Sequence, residues 1–156
     1  MAEPQIERPR ILVLNGPNLN FLGRRAPIYG TTTLAEVEAS MQAAAARLGV
    51  VVDFRQSNSE GVLIDAAQEA MDHFEAVILN PAGFTTTSVA LRDSMSMLSV
   101  PVIELHLTNI HAREVWRHSS YFSTMATTVI MGAGVHGYVL ALEHAAYLTG
   151  IRSPLS

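Results

Sequence analysis

The 156-residue sequence contains neither lysine nor cysteine. The absence of lysine excludes Schiff-base catalysis, attachment of pyridoxal phosphate and a P-loop lysine, and the absence of cysteine excludes thiol nucleophiles, disulfides and thiolate metal sites. The 6 histidines follow neither HExxH nor a comparable ligand spacing, so we expect no metal site. Any chemistry must therefore use tyrosine, histidine, serine, threonine, arginine or carboxylates.

The sequence also lacks an excess of positive charge and a long apolar run. Its net charge is −4 at pH 7, whereas nucleic-acid binding requires clustered positive charge, so no nucleic-acid partner is expected. Its apolar runs are shorter than the ~20 residues that span a bilayer, and no targeting peptide is evident at the start. We therefore expect a cytoplasmic protein with no membrane partner, comprising a flexible leader (residues 1–9), a single domain (10–150) and a short tail (151–156).

Hydrophobic periodicity alternates between short apolar runs and longer helical patterns. The runs predicted as strands are mostly apolar on both faces, as a parallel sheet between two helical layers requires. The predicted strands are Ile11–Leu14, Val50–Arg55, Ala76–Leu79, Val102–His106 and Thr127–Met131, and the predicted helices are Leu34–Leu48, Ser59–His73, Ser88–Leu98, Ala112–His118 and Val135–Leu148. This order predicts an α/β fold with a flavodoxin-like, doubly wound sheet of five parallel strands and helices on both faces.

Polar residues close three of the predicted strands. Ligands of doubly wound sheets bind outside the carboxyl ends of the strands, so Asn15, Asn80 and His106 are candidate site residues. Glu104 and His106 are two residues apart on one strand and share a face, so that the carboxylate can orient the imidazole. A purely structural His106 that bonds only to backbone fits the same spacing.

The loop after the first strand, residues 15–30, places Arg24, Arg25 and Tyr29 among glycines and prolines. Tyrosine is a poor proton acceptor at neutral pH unless a nearby positive charge stabilises the phenolate. An arginine beside Tyr29 would therefore make this side chain a candidate base.

Two further loops carry polar residues to the same edge. The loop after the third strand holds three threonines, including Thr86, ahead of a helix that bears Asp93. After the fourth strand, the backbone N–H groups of a predicted helix start could hold a carboxylate, with Arg117 as a bidentate partner. Each of these loops also fits an ordinary strand-to-helix connection without a binding role.

The sequence GAGVHG at residues 132–137 matches the dinucleotide-binding pattern G-x-G-x-x-G. Too little chain follows for the second strand and the acidic residue that the fingerprint places about 20 positions later. We interpret these glycines as a turn with close packing of helix against sheet. A flavin- or nucleotide-binding module on the same sheet stays an alternative function, because fold alone does not decide function.

Several motifs occur in the order and at the spacing of the type II 3-dehydroquinate dehydratases. They are N-G-P-N-L, L-G-R-R-x-P followed by Tyr-Gly, N-P-A-G, T-S-V-A-L-R-D, E-L-H and N-I-H-A-R-E, between about Ile11 and Leu148. The sequence therefore resembles this family. The resemblance implies a flavodoxin-like fold and cofactor-free dehydration of 3-dehydroquinate to 3-dehydroshikimate, in the shikimate pathway of aromatic amino acid biosynthesis or in quinate catabolism. It also implies a homododecamer built from trimers.

The resemblance also implies roles for individual residues. Tyr29 would remove the proton next to the substrate ketone and give an enolate, with Arg25 as its charge partner. His106, oriented by Glu104, would protonate the departing hydroxyl. Asn15 would help to hold the water or dipoles that face the enolate. The implied substrate-binding residues are Asn80, Thr86, Leu107, Thr108, Arg117 and, from across a trimer interface, Asp93.

The sequence departs from the family pattern at two places. The segment between Arg25 and Tyr29 is one residue shorter than in the family, so either Arg24 or Arg25 could face the phenol. Thr86 stands where the family typically has the histidine of T-H-T-S, and a hydroxyl is shorter than an imidazole and does not titrate. A family member that has diverged to a related cyclic hydroxy-ketoacid is therefore a further alternative.

Overall fold

The computed structural model describes residues 7–150, and its parallel sheet has the strand order β2-β1-β3-β4-β5. The strands are β1 (Arg10–Asn15), β2 (Val51–Gln56), β3 (Ala76–Asn80), β4 (Val102–His106) and β5 (Thr128–Met131), and the helices are α1 (Leu34–Leu48), α2 (Glu60–His73), α3 (Val89–Ser96) and α4 (His136–Leu148). This confirms the predicted flavodoxin-like α/β fold with small shifts at the element ends. The first six residues of the predicted leader and the predicted tail (151–156) lie outside the described residues.

The three inner strands are buried on both faces, which explains their continuous apolar runs. Along β1, Ile11 and Val13 pack in the core beneath α1 and α4, whereas Leu12 and Leu14 pack in the core beneath α2 and α3. The strands are therefore fixed from two sides, and their carboxyl ends form a rigid edge. No helix among the described residues is long and apolar enough to cross a membrane.

The glycines of GAGVHG form a turn before α4. Gly132 and Gly134 have φ angles of 87° and 60°, a region in which L side chains are strained. A Cβ atom on Gly137 would lie 2.9 Å from Cδ1 of Leu105 on β4, so this glycine allows close packing of helix on sheet. The structure thus agrees with a turn and close packing at this pattern.

The predicted helix Ala112–His118 is wrong. The segment instead forms two 3-10 turns, Ile110–Ala112 and Val115–Arg117, with Arg113 in extended conformation between them. The backbone carbonyl of Arg113 is bonded to Nε2 of His118 at 2.8 Å instead of taking part in a helix. The α-helix start to which we assigned a possible carboxylate site is therefore not formed, and the Arg113 side chain between the two turns reaches Tyr29 and Thr108.

Candidate active site

A cavity of about 250 Å³ lies at the carboxyl edge of the sheet, among the loops that follow β1, β3 and β4. The predicted site residues that line it are Arg25, Tyr29, Asn80, Thr86, His106, Leu107, Thr108 and Arg117. Asn15 and Glu104 are buried and are not among the lining residues, and Asp93 is exposed on α3. The structure therefore brings most of the predicted residues into one cavity and places two of them behind its wall.

Tyr29 accepts a hydrogen bond from an arginine to which the sequence analysis assigned no role. Nη1 of Arg113 donates to the Tyr29 hydroxyl at 2.9 Å and to Oγ1 of Thr108 at 3.1 Å. The guanidinium carbon of Arg25 lies 4.6 Å from the centroid of the Tyr29 ring, over its face. Arg24 instead lies against Phe21, with 5.8 Å between its guanidinium carbon and the ring centroid. The cation that contacts the phenol oxygen is thus Arg113, while Arg25 covers the ring.

Arg113 stands in the N-I-H-A-R-E motif, but the predicted helix obscured its role. Its partner Tyr29 is 84 positions earlier in the sequence. A pattern within one segment of the sequence cannot indicate a contact between residues so far apart. The signal that could have identified it is the polarity of the segment between β4 and the next apolar run. An arginine in such a loop at the carboxyl edge of the sheet is a candidate ligand-binding residue.

His106 is held by a fully buried carboxylate. Its Nε2 lies 2.6 Å from Oε1 of Glu104, whose exposed fraction is 0%. The Ser120 hydroxyl donates to Oε1 of Glu104, and the Ser123 hydroxyl donates to Oε2 at 2.7 Å. Burial raises the pKa of Glu104, but the hydrogen bonds from His106, Ser120 and Ser123 outweigh it and hold this pKa below its usual value. The ionised carboxylate fixes Nε2 of the imidazole, and His106 itself lines the cavity.

Asn15 and Asn80 meet at a buried tyrosine that sequence reasoning missed. The Tyr138 hydroxyl donates to Oδ1 of Asn15 at 2.6 Å and accepts from Nδ2 of Asn80 at 3.0 Å. Nδ2 of Asn15 donates to the carbonyl of Arg55 at 3.0 Å, so this amide supports the cavity from beneath. Burial raises the pKa of the Tyr138 phenol, which keeps it neutral as both donor and acceptor. In the sequence Tyr138 resembles any apolar position on the buried face of α4.

Three arginine side chains line the cavity, and the Glu114 carboxylate lies 3.5 Å from Nε of Arg113 and 2.8 Å from Nε of Arg117. These arginines are Arg25, Arg113 and Arg117, and no aspartate or glutamate lines the cavity among the described residues. Arg117 is held at the rim because its Nε donates to Oε2 of Glu114 at 2.8 Å and its guanidinium carbon lies 4.0 Å from the Trp116 ring centroid. Within residues 7–150, no cluster of histidine and carboxylate side chains could hold a metal ion. The fold and the cavity define a class: an α/β protein with a tyrosine and a histidine in a small cavity lined by arginines.

Comparison with known proteins identifies the family within this class. Residues 9–146 match the family model described as dehydroquinase class II. A catabolic 3-dehydroquinase of Aspergillus oryzae is 53% identical over 87% of this chain and 90% of its own length. A 3-dehydroquinate dehydratase of Methylobacterium radiotolerans is 53% identical over 91% of this chain and 96% of its own length. The chain therefore belongs to the class II dehydroquinase family, which confirms the resemblance seen in the motifs.

Solved structures agree with this assignment. The type II dehydroquinase from Propionibacterium acnes superimposes with a TM-score of 0.86 at 42% identity, over 88% of this chain and 96% of that chain. The sheet alone would fit either a dehydroquinase or a flavin- or nucleotide-binding module, because fold does not decide function. The family match favours the dehydroquinase.

The first prediction concerns the support beneath the cavity. Tyr138→Phe removes the hydroxyl shared by Asn15 and Asn80 and leaves two buried amide groups short of a partner. We expect the free energy of unfolding, measured by urea denaturation, to fall by about 1–3 kcal/mol. The matched control is Tyr147→Phe, because that side chain is 68% exposed and its change should stay within about 0.5 kcal/mol. Equal stability of the two variants would contradict a structural role for the Tyr138 hydroxyl.

Proposed function

We propose that this protein is a type II 3-dehydroquinate dehydratase, which eliminates water from 3-dehydroquinate to give 3-dehydroshikimate without a cofactor. The observation that carries the proposal is one cavity lined by two paired groups. Tyr29 is hydrogen-bonded to Arg113, and His106 is hydrogen-bonded to the buried Glu104. These pairs supply a base and an acid to the same small volume.

Tyr29 acts as the base in this proposal. Its phenolate removes the proton from the carbon next to the substrate ketone, and the electrons of the broken C–H bond move to the ketone oxygen and form an enolate. Arg113 supports this role because a charged donor on the phenol oxygen favours the phenolate. Arg25 adds a second positive charge over the ring.

His106 acts as the acid in the second half of the reaction. The enolate collapses to the ketone, a carbon–carbon double bond forms, and the hydroxyl one carbon further on leaves as water with a proton from His106. The buried carboxylate of Glu104 stabilises the protonated imidazole that this step requires. The elimination is redox-neutral, so the two proton transfers complete it.

The remaining predicted residues are proposed to bind the substrate. Arg117, held at the rim, suits the substrate carboxylate, and the polar groups of Asn80 and Thr86 suit its hydroxyls. Leu107 and Thr108 also line the cavity and would contribute backbone and side-chain contacts. The implied homododecamer of four trimers belongs to this proposal, since the exposed Asp93 would then reach the cavity of a neighbouring subunit.

The second prediction tests the base. We expect Tyr29→Phe to lower kcat by about 10²–10⁴-fold, the usual contribution of a positioned general base. The assay is the ultraviolet absorbance of the conjugated enone formed from 3-dehydroquinate. Tyr147→Phe is the control, because this side chain lies far out on α4 and is not among the cavity-lining residues. Near-normal turnover in a folded Tyr29→Phe protein would remove the proposed role of Tyr29.

The third prediction distinguishes the contributions to kcat of Arg24 and Arg25, in the loop after β1, and of Arg113, in the loop after β4. Arg113→Gln loses the charged donor on the phenol oxygen, so kcat should fall by about 10- to 100-fold. Arg25→Gln loses the charge over the ring and should have a smaller effect. Arg24→Gln should leave kcat unchanged, because Arg24 contacts Phe21 instead. A greater loss in Arg24→Gln than in Arg113→Gln would show that the loop of residues 15–30 adopts another arrangement in catalysis.

The fourth prediction tests the alternative that Thr86 marks a changed substrate. If 3-dehydroquinate is the substrate, the native protein turns it over and Thr86→His changes kcat/KM by less than about 10-fold, since either side chain can donate one hydrogen bond. Thr87→His is the matched control, because Thr87 is exposed and does not line the cavity. A large gain in Thr86→His alone would instead favour a related cyclic hydroxy-ketoacid as the natural substrate.

A further inference from the structure

We propose that Ser120 and Ser123 are positioning residues for the acid, because their hydroxyls fix both carboxylate oxygens of Glu104 behind His106. This inference rests on the proposed function of the site. Neither serine lines the cavity, and neither contributed to the family motifs in the sequence. Their role would be indirect, acting on the proton of His106 through Glu104.

The two hydroxyls complete a closed arrangement around the carboxylate. Oε1 of Glu104 accepts from Ser120 and from Nε2 of His106, and Oε2 accepts from Ser123 at 2.7 Å. Glu104 is fully buried. Within residues 7–150 these three side chains are its hydrogen-bond partners, and none is a permanent cation. The charge of this buried carboxylate is therefore stabilised by two neutral donors and one titratable ring.

The other charged groups near this cluster are directed elsewhere. On α3, Arg92 donates through Nε to the carbonyl of Tyr121 at 3.3 Å, and Asp93 is exposed. His118, ahead of the serines, bonds to the carbonyl of Arg113. The neighbouring strands β3 and β5 carry no ionisable side chain. Among the described residues, His106 is accordingly the ionisable side chain that is hydrogen-bonded to Glu104.

The segment that carries the serines is itself anchored. The Ser120 hydroxyl accepts from the backbone N–H of Phe122 at 3.0 Å, and the Phe122 side chain is fully buried in the core beneath α2 and α3. The backbone N–H of Tyr121 donates to the carbonyl of Thr85 in the cavity loop at 2.9 Å. The hydroxyls are therefore preorganised, and they need not rearrange when charge develops on His106.

Removal of one hydroxyl should change the pH dependence of the reaction in a defined direction. Burial raises the pKa of Glu104 and the serine hydrogen bonds lower it, so loss of a serine hydroxyl raises this pKa. The acid step needs the ionised carboxylate. The fall of kcat on acidification should therefore begin at a higher pH in Ser120→Ala and Ser123→Ala than in the native protein.

The experiment measures kcat and KM against pH in the full chain. We expect Ser123→Ala to lower kcat by about 10-fold at mildly acidic pH with KM unchanged, because the serine does not touch the substrate. Ser123→Thr keeps the hydroxyl and should restore the native profile. Ser119→Ala is the matched control, since Ser119 is exposed and makes no side-chain hydrogen bond among the described residues. Urea denaturation of each variant verifies folding, and Ser120→Ala serves as the second variant.

Two results would overturn the inference: an equal loss of kcat at every pH, or a Ser123→Thr variant no better than Ser123→Ala. A second measurement needs no substrate and so separates this inference from the proposed activity. The carboxyl-carbon NMR signal of Glu104, assigned with Glu104→Gln, should titrate at higher pH in Ser123→Ala than in the native protein. If Glu104 titrates at the same pH in Ser123→Ala as in the native protein, the positioning role is contradicted. If the native protein does not turn over 3-dehydroquinate, the proposed function alone is contradicted.

Discussion

The structure depends on one constraint, that polar side chains buried at the ends of the inner strands must be hydrogen-bonded within the protein. Asn15 and Asn80 share the Tyr138 hydroxyl, and Glu104 receives hydroxyls from Ser120 and Ser123. Throughout residues 7–150, no buried side-chain nitrogen or oxygen lacks a partner. The floor of the cavity is consequently a paired polar layer, and a change to one member leaves another unsatisfied.

Two tyrosines on this edge show that the surroundings decide the role of a side chain. Tyr138 is fully buried between two neutral amides, and burial raises its pKa, so it remains a neutral structural hydroxyl. Tyr29 lies on the cavity wall with Arg113 on its oxygen and Arg25 over its ring. The tyrosine hydroxyl therefore bridges two amide groups at Tyr138, whereas at Tyr29 it is a candidate base.

Local patterns predicted the parts of the molecule that local physics decides. The strands were predicted because the inner strands are apolar on both faces, and α1 was predicted because it carries an amphipathic face and ends at Gly49 with a φ angle of 72°. The helix after β4 was predicted wrongly because the side chain of His118, five positions along, bonds to the carbonyl of Arg113, and hydrophobic periodicity does not report such a side-chain bond to backbone. Arg113 and Tyr138 were missed because their partners lie 84 and 123 positions away.

The distribution of charge explains why hydroxyls, and not an arginine, support Glu104. An arginine beside this carboxylate would neutralise it and compete with His106 for its oxygens. Serine hydroxyls offset the cost of burying the carboxylate without adding positive charge, and the negative charge stays available to His106. The three arginines instead line the cavity, where Arg113 donates to the Tyr29 hydroxyl and Arg25 lies over the Tyr29 ring. The structure therefore keeps the buried carboxylate of Glu104, which contacts His106, apart from Arg113 and Arg25, which contact Tyr29.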